Sequence, residues 1–249
     1  MHADVQFPIA SCYLSITADQ SEVFVLDGTF AVVQRFKSDG TFISWFGLSM
    51  GKQLLLDMPW AIAASPLAVC VTDLTGSQFG KWSISGSWVG GPWGGQGNDE
   101  GNFNSPQGIA VAKTGQFVYV CDDGNGRVQA SRAFLEQGSW TWKFKTSNGE
   151  YVSQLGSLGT GDGRLTNCYS LTVDGAGAVY VNDNGAARVF KFSSTGNFSA
   201  AYGSAGTADG QFRGLDGLAA AWDTSGTVWA ADDGAGTPKG RIQKLLQVL

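Results

Sequence analysis

One phrase recurs five times along this chain: an apolar strand, a short turn, a second apolar strand closing on aspartate, and a polar turn. The copies are SITADQSEVFVLD (15–27), AIAASPLAVCVTD (61–73), GIAVAKTGQFVYVCD (108–122), SLTVDGAGAVYVND (170–183) and GLAAAWDTSGTVWAAD (217–232). Their closing residues Asp27, Asp73, Asp122, Asp183 and Asp232 stand 46, 49, 61 and 49 residues apart. A period of roughly 40–50 residues built only from strands constrains the fold to a β-propeller.

The fourth copy shows the full unit. SLTVD and AVYVND are joined by Asp-Gly-Ala-Gly, ARVFKF follows as a third strand, and FSAAYG is a fourth. Four antiparallel strands in a meander make one propeller blade. The glycine ending each outer strand precedes the next inner strand by 14 residues: Gly47 to Ala61, Gly94 to Gly108, Gly156 to Ser170 and Gly203 to Gly217. The repeats fall at about 11–47, 57–94, 104–156, 166–203 and 213–249, within a single propeller domain over 1–249.

Counting the same step back from Ser15 puts the preceding outer strand at about Met1. At the other end the fifth repeat offers three strands, GLAAA, TVWAAD and RIQKLL. The expectation is an all-β propeller with five visible four-stranded blades, alone or as part of a six-bladed ring, whose last blade lacks its outer strand. Three explanations stay open: a fragment of a longer protein, a three-stranded last blade, or a strand donated by a neighbouring chain to the open edge.

Composition narrows the partners. Charged residues are 15% of the chain, against the usual quarter, and the net charge is −5. Without a run of Lys and Arg there is no basic stripe to release counterions, so nucleic acid is disfavoured, as is an anionic membrane surface. No apolar stretch approaches the ~18–20 residues of a membrane span, and MHADVQFPIA shows no signal-peptide pattern. The compartment stays open, with one glycosylation sequon at Asn197. The 36 glycines suit many tight turns, and the nine tryptophans suit pleated surfaces.

Of the four cysteines, Cys70 and Cys121 lie in second strands as small hydrophobes. Cys12 and Cys168 hold matching places in non-adjacent repeats, which puts them across the axis and too far apart to bridge. Free thiols are therefore expected.

The linker GxxGxxDGxF, the P/L-x-G-I/L-A strand, VYVxD and the D-x-G-N-x-R-V turn resemble the NHL-repeat family. The turn reads Asp122-Asp123-Gly124-Asn125-Gly126-Arg127-Val128 in repeat three and Asp183-Asn184-Gly185-Ala186-Ala187-Arg188-Val189 in repeat four. The likeness is clear in repeats three to five and degenerate in one and two, where Val32 and Gln78 replace the arginine. It implies that the recurring aspartates are structural, each capping its turn and pairing with the following arginine. The alternative is a ring of carboxylates that binds a cation.

Catalytic chemistry finds little footing. His2 is the one histidine, which rules out a three-histidine zinc site and disfavours a histidine-activated nucleophile. Among propellers similar to this one, amidating lyases hold zinc through histidines, and gluconolactonase-like proteins hold a divalent metal through Glu, Asn and Asp. Calcium stays open because it needs only oxygen ligands, and Asp122, Asp123 and Asn125 are the densest oxygen cluster beside Asn98-Asp99-Glu100.

Departures from the repeat are the better guide. Repeat three carries an insertion, Gln129 to Ser139, in the approach to its third strand, with Arg132, Phe134 and Leu135 as contact candidates. Trp88, Trp93, Trp140 and Trp142 cluster in the outer halves of repeats two and three, either filling space between blades or forming an exposed patch. Ile242 and Leu245 lie on the open edge of the last blade. The sequence thus points to a non-catalytic interaction or scaffold module whose partners are other protein chains, with no cofactor. The alternatives are a metal-dependent hydrolase or lyase with an axial site, and a glycan-binding propeller.

Overall fold

The computed structural model describes residues 12–17, 21–50, 53–54, 56–113, 115, 117–132, 151–221, 226–234 and 240–245. Five small antiparallel sheets stand in a ring as the blades of a β-propeller. Blade 1 comprises Cys12–Ile16, Glu22–Asp27, Val32–Lys37 and Phe42–Gly47; blade 2 comprises Pro59–Ala64, Ala68–Asp73, Gln78–Ser83 and Trp88–Gly94. Blade 3 comprises Pro106–Val111, Phe117–Asp122, Arg127–Arg132 and Tyr151–Leu155; blade 4 comprises Cys168–Val173, Val179–Asp183, Arg188–Phe192 and Phe198–Tyr202. Blade 5 has three strands among the described residues, Leu215–Ala220, Val228–Asp232 and Arg241–Leu245. In each blade the strands pair in sequence order, with the first strand innermost.

Both faces of blades 2, 3 and 4 are covered, because each of these blades lies between two neighbours. Alternate residues of a strand point to opposite faces. The leading face of blade 1, with Phe24, Leu26, Val33 and Phe46, packs on the trailing face of blade 2, with Ile62, Ala64, Val69, Val71 and Trp82. The same arrangement joins blade 2 to blade 3, blade 3 to blade 4 and blade 4 to blade 5. Polar stitches reinforce it. Ser15 Oγ accepts from the Ala64 N–H at 2.8 Å, and Thr72 Oγ1 donates to the Gln107 carbonyl at 2.8 Å.

The last three linkers each bury one apolar anchor, Phe103, Leu165 and Phe212. The glycine closing the outer strand must let that anchor approach. Gly203 has φ +92°, and a Cβ there would collide with the Phe212 ring. Glycine is required on both counts.

Two expectations need correction. The third strand of blade 3 follows its turn directly: Arg127 to Arg132 pair residue for residue with Asp122 to Phe117. Gln129 is therefore an ordinary strand residue, not part of an insertion. The additional residues fall between Arg132 and Tyr151, and 133–150, with Phe134, Leu135, Trp140 and Trp142, lie outside the described residues, as does the side chain of Arg132.

The second correction concerns the thiols. Cys121 and Cys168 form a disulfide with their Cα atoms 5.5 Å apart. The sequence comparison set Cys168 against Cys12, two like places. The actual partner sits at an unlike place, because the end of a blade's second strand lies beside the start of the next blade's inner strand. Cys70 is free and buried.

Candidate functional site

The five inner strands enclose an axial cavity of about 770 Å³. Leu14, Ile62, Ile109, Leu171 and Leu218 take equivalent places in its wall, each opposite the residue two before its blade's aspartate. The strand ends add Ile16, Ala64, Val111, Val173 and Ala220, and Lys113 is the charged residue in the lining. Such a wall offers dispersion and exclusion of water but few groups able to move a proton.

Just before this layer come Tyr13, Trp60, Gln107, Tyr169 and Asp216, each next to the first residue of its inner strand. The Tyr13 and Trp60 rings lie 5.8 Å apart, and the Tyr13 phenol lies near Tyr169 of blade 4. Burial raises the Tyr13 phenol to about 12, and Tyr169 and the Asp216 carboxylate add to the rise. Burial also lifts the Asp216 carboxyl above the ordinary carboxylate range, helped by Asp233 and Asp232.

The recurring aspartates are tied into the fold. Asp122 accepts from the Asn104 N–H (2.7 Å), Asn125 Nδ2, Arg127 Nε (2.8 Å) and Gln129 Nε2. Asp183 accepts from the N–H groups of Thr166, Asn167 and Ala186, and Asp232 from those of Arg213, Gly214 and Gly234 and from Arg241 Nε. Asp73, Asp122, Asp183 and Asp232 thus join the end of the second strand to the linker that precedes their own inner strand, while Asp27 accepts from the Thr29 and Phe30 N–H groups of its own turn, as the local-cap reading expects. Asp123 accepts from Gln107 Nε2 and Asn167 Nδ2. Burial raises its carboxyl above the ordinary range, the Cys168 N–H and Gln107 draw it back, and Asp183 and Asp122 raise it again. Asp122, Asp123 and Asn125 are thus close together, but the carboxylate oxygens of Asp122 and Asp123 face amide and guanidinium donors, which a cation would have to displace. Among the described residues no group of three or more His, Cys, Asp or Glu could hold a metal ion.

The tryptophan candidates separate. Trp93 is buried 5.3 Å from Phe79, inside the interface between blades 2 and 3, so no side of it is available to a partner. Trp88 is half-buried, edge-on to Trp82 at 4.8 Å. Leu245 is likewise buried, between blades 4 and 5, whereas Ile242 is 76% exposed.

The surface feature that sequence reasoning missed is the seam between blades 5 and 1. In blade 1 the trailing face carries Leu14 at 63% exposure and Trp45 at 58%, while Ile62, Ile109 and Leu171, equivalent to Leu14, are each at 6%. Val23 and Val25 are half-buried, although their equivalents in the other four blades are at most 1% exposed. Opposite them, the leading face of blade 5 shows Trp229 at 40% and Ile242. Leu14, Ile16 and Trp229 also line the axial cavity, so cavity and seam are continuous. A concentration of exposed large apolar side chains marks an interaction site. The signal available in the sequence was that the first and last blades are as apolar on both faces as the internal ones.

Sheet, ring and apolar axis together define a β-propeller. The model of the NHL repeat family matches residues 103–130, which run from the Phe103 anchor through blade 3 to Ala130. No curated protein sequence matches the chain. Among solved structures it is similar to a streptogramin B lyase, with 14% identity and TM-score 0.63, covering 97% of this chain and 70% of that one. It is similar to virginiamycin B lyase from Staphylococcus aureus, with 12% identity and TM-score 0.57, covering 95% and 70%. It is also similar to U3-55K, with 12% identity and TM-score 0.62, covering 92% of this chain and 60% of that one. At these identities the likeness shows the propeller fold alone.

Proposed function

We propose that this NHL-repeat propeller is a non-catalytic interaction module that binds other protein chains as part of a larger assembly. The observation that carries this reading is the seam, where Leu14, Trp45, Trp229 and Ile242 face outward from sheets whose internal counterparts are covered. The aliphatic axis supports it, since general acid–base work needs positioned titratable groups. The Cys121–Cys168 bridge fits work in a compartment where disulfides persist.

Photo-crosslinking tests the reading. A photoreactive residue placed at Trp45, and another at exposed Ser85 in blade 2, are compared in cells that make the protein. Adducts with defined proteins concentrated at position 45 and lost in Leu14→Asp support it. Equal labelling at both positions, or turnover of a lactone or cyclic ester by the purified protein, overturns it.

A further inference from the structure

The axial cavity has two unlike ends. One is the layer of Tyr13, Trp60, Gln107, Tyr169 and Asp216, one residue from each inner strand and three of them aromatic. At the other end the strands leave the wall at Lys113 and Ala221. Between the two the wall is mostly aliphatic. Small-molecule sites are typically cavities of about 300–1,000 Å³ with apolar walls and a few placed polar groups. This cavity, at about 770 Å³, has that size and that make-up.

The aromatic layer is drawn together across the axis. The Tyr13 and Trp60 rings are tilted by 44° at a separation of 5.8 Å. The Tyr13 phenol lies near Tyr169, and the Asp216 carboxylate is close enough to act on it. Blades 1, 2, 4 and 5 thus meet in one cluster, and all three rings are half-buried, so each keeps an accessible part. Asp216 is unlike the five aspartates that close the second strands. Those are buried and accept backbone N–H donors. Asp216 is exposed, and among the described residues it accepts no hydrogen bond and makes no ion pair. After burial, the groups that raise its carboxyl are Asp233 and Asp232, charges of its own sign. A carboxylate so placed beside ring faces draws a cation, because the faces carry the negative end of the ring quadrupole and act within about 6 Å.

We infer that the axis is a binding site for a small amphiphilic organic cation, with a quaternary ammonium head among Tyr13, Trp60, Tyr169 and Asp216 and an aliphatic tail in the cavity. A quaternary head suits this end because it calls for ring faces and a carboxylate rather than for hydrogen-bond acceptors. The tail gains by leaving water for the aliphatic wall, at about 0.8 kcal/mol per buried CH₂. Lys113 repels a cation at the opposite end, which sets the direction of entry. The inference goes beyond the interaction-module reading and does not need it.

The probes are decyltrimethylammonium and decyl sulfate, which share a tail and differ in head, each titrated below its micelle concentration into the 249-residue chain by calorimetry. One saturable site is expected for the ammonium, with the sulfate at least about tenfold weaker. Asp216→Asn should weaken ammonium binding about tenfold. Asp39→Asn makes the same change of charge at an exposed turn of blade 1 and should leave binding as it was, which separates the site from general attraction to a chain of net charge −5. Trp60→Leu should weaken binding too, since leucine is apolar but offers no ring face. Because Asp216 is exposed, an unchanged Tm in that variant separates lost binding from lost folding. Absent saturable binding, equal affinity for the two heads, equal losses in Asp216→Asn and Asp39→Asn, or full binding by Trp60→Leu overturns the inference.

Discussion

The junction between blades 3 and 4 and the seam between blades 5 and 1 are built from the same kinds of face and have opposite fates. At the junction, Val128, Leu155, Val181 and Phe190 are buried together, a disulfide crosses from Cys121 to Cys168, and Asn167 Nδ2 reaches Asp123. At the seam, Tyr13 touches blade 4 at the axis, while Leu14, Trp45, Trp229 and Ile242 stay accessible. An apolar face is therefore not core by its own composition. It becomes core when a second face lies within contact distance, and otherwise it stays accessible to solvent.

That contrast can be broken at its strongest point first. Asp122→Ala would leave Arg127, nine-tenths buried, without its carboxylate, and should destabilise the fold by about 3–5 kcal/mol in urea unfolding. The same change at Asp232 should cost less, because the Arg241 side chain keeps 31% of its surface in water. Equal losses would mean that the seam is as closed as the junction. Next, Leu171→Ala should cost about 2–5 kcal/mol, and Leu14→Ala, at the matching place, no more than about 0.5 kcal/mol. Differential scanning calorimetry on the pair reads this directly.

Removing the bridge with Cys121→Ser and Cys168→Ser together should cost about 2–4 kcal/mol, since it releases a closed loop with a sequence separation of 47 residues.

The smallest effects are in pH. Burial alone would raise the Asp232 carboxyl, but the Gly214, Arg213 and Gly234 N–H groups and Arg241 outweigh it and hold it below the ordinary range. Its contribution to stability is present above the ordinary carboxylate range and is lost as pH falls through that range toward the depressed value. Tyr13 works the other way. Raised from 10.0 to about 12, it contributes below 10 and loses that contribution as pH rises toward 12. Asp232→Asn should flatten the acid limb of the urea midpoint, and Tyr13→Phe should remove a phenolate that forms above the ordinary tyrosine range in a 295 nm titration.

Much of the ring was legible in the chain. VYVND with its turn and ARVFKF marked the strands of blade 4, because period-two alternation and Gly/Asp turns are local signals. The third strand of blade 3, RVQASR, has few apolar residues and so little alternation to mark it, which is why the insertion was expected to begin at Gln129 rather than after Arg132. Trp93 could be assigned to an outer strand, but its burial depends on Phe79 and on blade 3. The disulfide was hidden because it joins unlike places in neighbouring repeats, and a comparison of like with like cannot see such a pair.

By itself the sequence determined that five blade repeats are present, where most strands run, and that apolar residues alternate along them. These follow from local alternation and turn chemistry, which each repeat carries alone. Only the tertiary structure decided which faces meet, which cysteines are neighbours, and that Leu14, Trp45, Trp229 and Ile242 remain uncovered. Burial belongs to a pair of surfaces, and one strand's sequence specifies only its own half.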